Sequence, residues 1–332
     1  MKRLRAFIGV LAILGMTVVA HAWPESQYYL GKPPTPPTPT LGAFAVGTGG
    51  KAASTTNGTT WTARSPGAGT ASLTSCGMGG GYVVAINTTE FAYSDSFSSD
   101  WATASNPATT MKTYVISTDN INDAAMGGTT GALYITTNGL DSFTSVTSQF
   151  GTNSINAGVY GDGKYVIVGN SGKISTSTDS AFTTWTARTS NTTENLYAIT
   201  YAGGYFIAVG AGSTIDVSPD AVTWTVYSSN IPGSPDLYSV AGLGGKWVVG
   251  GVSATATDPL MASSYDAKTW NPFKVGVSAT GWYAMQYEYN TFIAFGTNGS
   301  TGLLYTSPTG DFWTAQTSPF TGANYALSTC WG

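Results

Sequence analysis

Along this chain, hydrophobic and polar positions alternate in short runs, and Gly-containing or Pro-Asp turns separate the runs, a pattern of strands joined by tight connections. Residues 196–228 (LYAITYAGGYFIAVGAGSTIDVSPDAVTWTVYS) hold four such runs. The unit returns as LYSVAGLGGKWVVGGV followed, after an insertion, by MASSYDAKTWNPF, and again as WYAMQYEYNTFIAFGTNGSTGLLYTSPTGDFWTAQ. Looser copies occupy residues 163–187, 81–102 and 43–63, and the weakest occupies 122–144. Each copy carries an anchoring aromatic: Trp61, Trp101, Phe143, Trp185, Trp224, Trp270 and Trp313, spaced 40, 42, 42, 39, 46 and 43 residues apart.

Four strands per unit and seven units predict an all-β fold, a seven-bladed β-propeller of four-stranded blades over residues 43–332. The first copy begins with its second strand. Tyr325-Ala326-Leu327-Ser328-Thr329-Cys330 matches Tyr197-Ala198-Ile199-Thr200-Tyr201, so the C-terminal strand is expected to join the N-terminal blade and close the ring. In the innermost strands, Ala198, Ser239, Ala284, Ala326 and Ser72 align as a small position. Ile199, Val240, Met285, Leu327 and Leu73 follow as a large one, which would give each blade one small and one large face.

Composition agrees with an all-β reading. Only 9% of residues are charged, against about 25% in an average soluble domain. Yet 42% are hydrophobic and 13% aromatic, which separates the chain from disordered sequences. The 42 glycines suit many turns.

The N-terminus reads as a secretory signal over residues 1–22. Lys2, Arg3 and Arg5 precede an apolar run, and Ala20-His21-Ala22 fits a cleavage site, placing the mature protein outside the cell, in a periplasm or on a cell surface. The apolar run is short for a membrane span, so no insertion is expected after cleavage, although retention as an anchor stays open. Residues 23–42 read as a Pro/Thr-rich linker, extended and stiff. Cleavage removes the only histidine, His21, and three of the 13 basic residues. Ten basic against 17 acidic residues then leave a net charge of −7, which argues against a nucleic-acid partner.

The turns before the anchoring aromatics carry a motif: Ser54-Thr55-Thr56-Asn57-Gly58-Thr59-Thr60-Trp61, Ser218-Pro219-Asp220-Ala221-Val222-Thr223-Trp224 and Ser264-Tyr265-Asp266-Ala267-Lys268-Thr269-Trp270. Weaker forms run from Asp179 to Trp185 and from Ser307 to Trp313. The pattern resembles the Asp-box, or bacterial neuraminidase repeat, of a family of β-propellers, over nearly all of the chain after residue 42. Asn57, Asp179, Asp220 and Asp266 are turn formers, whose side chains cap backbone N–H groups, and the tryptophans pack between strands. Relatives that are sialidases use an arginine triad, a Tyr–Glu pair and an acid. This sequence has four arginines, two of them in the signal; Arg64 and Arg188 follow fourth-strand tryptophans on the periphery, so that activity is rejected. The chain also resembles the photosystem II assembly-factor type of Asp-box propeller, which binds polypeptide without catalysis, but lacks that type's arginine-rich face.

Other chemistry is thin. A mature chain without histidine has no Ser-His-Asp or Cys-His arrangement and no ordinary zinc site, so neither metal nor cofactor is expected. Asp119, Asp123, Glu194 and Asp236 lie on loops between blades with no paired spacing. Cys76 and Cys330 each follow an aligned leucine by three residues in neighbouring blades; in an oxidising compartment they could form a disulfide, and spacing alone leaves their separation open.

The loop face is the expected binding surface. Its Ser, Thr, Gly, Asn and Tyr are the adaptable set used in recognition loops. Trp282, Tyr283, Tyr227 and Phe320 are expected to be exposed for stacking, with Asp236 and Asp258 nearby. Tyr197, Tyr238, Tyr283 and Tyr325 recur in register, which also suits packing between blades. The leading expectation is a non-enzymatic propeller binding a protein or glycan. The alternatives are a surface or virion adhesion protein, and a glycosidase or lyase using loop carboxylates.

Overall fold

The second strand of each repeat is apolar at all but a few positions near its ends, and this fixes the architecture. In the computed structural model, Ala43–Gly47, Tyr82–Ile86, Ala124–Gly128, Lys164–Gly169, Tyr205–Gly210, Lys246–Val252 and Thr291–Thr297 are buried at all but a terminal position. A strand buried on both faces must lie between two other layers. The outermost strands, such as Thr62–Arg64 and Thr186–Arg188, are short and mostly exposed. The structure describes residues 42–67, 69–79, 82–94, 101–108, 111–116, 122–252 and 260–331. The expected signal, nearly all of the linker, Asp119 and Asp258 lie outside them.

The fold is an all-β propeller, but the expectation of seven separate four-stranded blades in a closed ring is corrected. Five four-stranded antiparallel sheets form blades, and the sixth and seventh repeats merge into one curled sheet of eight strands. The junction is a single ladder pair, Val252 with Gly281. Lys246–Val252 runs on past Gly250, and Gly281 has no Cβ to hold the two backbones apart; one there would crowd Val252 and Tyr283.

In the first sheet the innermost strand is Ala326–Trp331, antiparallel to Ala43–Gly47 with Phe44 opposite Cys330. Ser328 stands opposite Val46 and Ser75 opposite Ile86, as Ala198 stands opposite Val209. The small position is therefore Ser328 and Ser75, rather than Ala326 and Ser72 as the sequence alignment placed it.

Most anchoring aromatics pack on the second strand of the preceding repeat. Trp101 stacks on Phe44 at 5.4 Å, whereas Phe143 meets Phe91 of the third strand edge-on at 5.9 Å. Trp224 joins Val166 and Val168, and Trp270 joins Ile207 and Val209. Trp61 of the first repeat meets Phe295 of the last at 5.0 Å. Each unit thus completes the core of its neighbour.

Cys76 and Cys330 form a disulfide with Cα atoms 5.8 Å apart. Cys330 stands opposite Phe44, but Cys76 stands opposite Ala85, one register position away from equivalence. The offset is required. Equivalent residues would point to the same face of their sheets, whereas two residues meeting across a gap must point to opposite faces. The bond spans 254 residues of sequence. Replacing Cys76 and Cys330 together by serine is expected to lower unfolding stability by about 2–5 kcal/mol. Denaturant titration of oxidised parent and variant measures it; equal midpoints would remove the bond from the account of stability.

Candidate functional site

The innermost strands begin with a repeated irregularity. Leu196 pairs with Gly210 and Ala198 with Val209, so Tyr197 has no ladder partner. The same skip leaves out Lys112, Asn156, Tyr238, Tyr283 and Leu327. A bulge of this kind re-aims the extra side chain away from the regular pleat. Opposite it lies glycine: a Cβ on Gly210, Gly169 or Gly47 would overlap the backbone oxygen of Asn195, Ser154 or Tyr325. Bulge and glycine are thus one device, setting a chosen side chain at the end of each inner strand.

Aromatic bulge residues come together in a row. Tyr197 and Tyr238 stack at 4.6 Å with planes 1° apart, and Tyr238 meets Tyr283 at 5.7 Å and 45°. Tyr283 stacks on Tyr325 at 4.5 Å and 30°. All four are half-buried. Tyr325 is not in register with the others, because the bulge of its strand is Leu327. It precedes the strand, where its N–H donates to Thr48 Oγ1 at 3.0 Å and its carbonyl accepts from the Thr48 N–H at 3.1 Å.

Burial, then the neighbouring Tyr197 and Asp236, push the Tyr238 hydroxyl up to about 12. Burial, then Tyr325, does the same for Tyr283, to about 12. Tyr238 and Tyr283 therefore stay protonated near neutrality.

The surroundings are tied across sheets. Asp236 Oδ1 accepts the Gly212 N–H at 3.0 Å, and Asn195 Oδ1 accepts the Ser171 N–H at 2.9 Å. Asn156 Nδ2 donates to Asn170 Oδ1 and to the Leu196 carbonyl, both at 2.8 Å. Asp236 therefore braces the rim.

Of the residues expected to bind, Tyr283 and Asp236 sit in this rim. Two expectations of exposure are corrected. Trp282 is 2% exposed and meets Tyr305 edge-on at 5.6 Å; Phe320 is 3% exposed and meets Phe295 at 5.8 Å. Trp282 takes the inward pleat position that Leu196 and Leu237 hold elsewhere, and the bulge that frees Tyr283 begins only after it. Tyr227 lies half-buried on the outer strand Thr225–Ser228 against the core, apart from the row. Asp258 lies outside the described residues. Among the other loop carboxylates, Asp123 is buried and Glu194 exposed.

The acidic turns are capped by their own side chains. Asp220 Oδ1 accepts the Val222 and Thr223 N–H groups at 2.8 and 2.7 Å, and Asp266 Oδ1 accepts those of Lys268 and Thr269 at the same distances. Asn57 and Asp179 do likewise toward Thr59, Thr60, Ala181 and Thr183. These N–H donors hold Asp220 down at about 2 and Asp266 well below the usual carboxylate range. Trp61, Trp185 and Trp313 each donate an indole N–H to a turn carbonyl, those of Gly58, Phe182 and Gly310. Arg64 and Arg188 donate to Ser54 and Thr176, at 2.8 and 2.9 Å, on the outer strands. Among the described residues no three His, Cys, Asp or Glu side chains gather as a metal site.

One acidic residue is unlike the rest. Asp216 is 0% exposed, at a position where other sheets have Ala53, Ala92 or Ala262. Neither carboxyl oxygen has a well-formed hydrogen bond, and burial pushes it up to about 7, with the Val217 N–H offsetting this only in part. The raised value means that the native state favours the protonated form. That contribution is fully present below about pH 4 and is lost as pH rises through 7. Asp216→Ala is expected to be more stable than the parent at pH 8 by about 1–3 kcal/mol, with the gap closing at pH 4. Urea unfolding at the two pH values checks it, and a constant gap would contradict the burial argument. Asp220 has the opposite sign: its stabilisation is present above about pH 4 and fades as pH falls toward 2. Asp220→Asn should therefore show a shallower loss of melting temperature between pH 5 and pH 2, read by thermal unfolding.

No protein-family model matches the chain, and no curated protein sequence matches it. Solved structures do. YCF48 from Cyanidioschyzon merolae is similar at a TM-score of 0.58 and 18% identity, over 80% of this chain and 91% of that one. YCF48 bound to D1 peptide is similar at 0.57 and 16% identity, over 87% and 88%. An ancestral GH74 enzyme is similar at 0.54 and 13% identity, over 70% of this chain and 36% of its own. At these identities the likeness shows the β-propeller fold.

Proposed function

We propose that this chain is a non-enzymatic recognition propeller that binds a protein or glycan partner through the rim centred on Tyr197, Tyr238, Tyr283 and Tyr325. The observation that carries this reading is the row itself: four half-buried aromatics from four repeats, three of them released by bulges that regular strands do not need and the fourth, Tyr325, set beside them just before its strand. Core tyrosines would be served by the ordinary pleat. A bulge costs ladder pairing, and its repetition at one end of the inner strands suits a surface built to present side chains. The low charge of the chain and the loss of its histidine with residues 1–22 support binding over catalysis. A similar fold, YCF48, occurs bound to a peptide.

In this reading residues 1–22 direct export and are cleaved after Ala22, and the Pro/Thr-rich segment carries the propeller outside the cell membrane. The self-capped turns around Asn57, Asp179, Asp220 and Asp266 are Asp boxes with a structural role only.

A glycan and peptide array probed with the purified chain tests the reading. Saturable binding to one ligand class is expected, weakened about tenfold or more by Tyr238→Ala, which opens the middle of the row. Tyr227→Ala, away from the row, should leave it unchanged. Binding that ignores Tyr238→Ala would sink the assignment of the rim.

A further inference from the structure

We propose that the tyrosine row docks an uncharged, proline-rich polypeptide segment in the polyproline II conformation, an inference that rests on the rim being the binding site. The choice between sugar and polypeptide follows from which part of each ring is left to a ligand. Sugars bind tyrosine chiefly by lying on an open ring face. In this row the facing sides of the rings are spent on one another, at 4.6, 5.7 and 4.5 Å between successive centroids, so no inner ring keeps an open face. What remains is a comb of ring edges and phenol hydroxyls. Each ring of the row carries a phenol hydroxyl, which can donate a hydrogen bond to a carbonyl acceptor.

A polyproline II segment fits such a comb. It has no internal hydrogen bonds, so its carbonyls stand outward as acceptors, and proline rings wedge against aromatic edges. Its repeat is three residues at about 3 Å each, roughly 9 Å per turn. Alternate rings of the row lie at most about 10 Å apart, so one helical turn spans two steps of it. Such a ligand is also already ordered, and loses little entropy on binding to rings that stacking holds in place.

Charge points the same way. Among the bulge residues at this end only Lys112 is charged; Asn156, Tyr197, Tyr238, Tyr283 and Leu327 are neutral. The nearby Asp236 is committed to the Gly212 N–H. An acidic or basic peptide finds little to pair with here, whereas a neutral one gives up no solvated charge on binding.

The test titrates a synthetic (Pro-Pro-Ala)4 peptide into the full chain, read by calorimetry, beside a (Gly-Ser)6 peptide and maltohexaose. Saturable binding of the proline peptide is expected, with about tenfold or greater preference over both controls. The double variant Tyr197→Phe/Tyr325→Phe keeps the rings and removes two of the four hydroxyls, and should weaken binding about tenfold. A control change at exposed Tyr265, to alanine, should not. Absence of binding, equal binding of either control ligand, or indifference to the double variant overturns the proposal. If array ligands still depend on Tyr238 in that case, only the ligand class has failed; if they do not, the rim assignment has failed with it.

Discussion

Every repeat has a second strand that is apolar on both faces, and the structure follows from the need to cover both. One four-stranded unit cannot do this. Lys164–Gly169 and Tyr205–Gly210 are shielded only because another sheet packs on each side, with the anchoring aromatic of the next repeat filling the space between. Stability is therefore shared between neighbours. The end repeats face the same demand as the middle ones, and the contacts that meet it there join distant parts of the chain: Ala326–Trp331 pairs with Ala43–Gly47, Trp61 packs on Phe295, and Cys76 is bonded to Cys330.

Once inner strands are held in place by that packing, their ends become available for another purpose. The bulge before each inner ladder releases one side chain from the pleat, and the glycine opposite makes room for the backbone. The released residue varies between repeats, from Lys112 and Asn156 to the three tyrosines, while the flanking Leu196, Leu237 or Trp282 stays inward. A constant scaffold with one variable position per repeat is how repeat proteins carry recognition surfaces. Asp216 shows the cost of departing from the repeat: a carboxyl in an alanine position, buried with poor compensation.

Much of this was legible in the chain. The spacing of Trp61 through Trp313 located the repeats, and the Ser-x-Asp turns located tight, self-capped connections, because both are local patterns. The candidate site residues were less legible. Trp282 and Phe320 looked available because large aromatics in loop-rich segments often are, yet the pleat turns Trp282 inward and Phe320 lies against Phe295. The four tyrosines recur visibly in the sequence, but their stacking does not show there, since it depends on how far apart neighbouring sheets stand. A signal existed in the Val-Gly or Phe-Gly pairs ending second strands, at Gly47, Gly169, Gly210 and Gly296, which mark the close approach opposite each bulge.

Sequence alone determined the all-β class, the repeat unit, the turn chemistry and the low charge, because each arises within a few residues of chain or from composition. Tertiary structure decided the rest. The merger of the sixth and seventh repeats depends on Val252 reaching Gly281 across an insertion, and the cysteine pair depends on a one-residue offset between sheets. The tyrosine row depends on Tyr325 arriving from a different register than its partners. In all three, residues distant along the chain meet through the register and separation of neighbouring sheets, and those are set by the packing of the whole core.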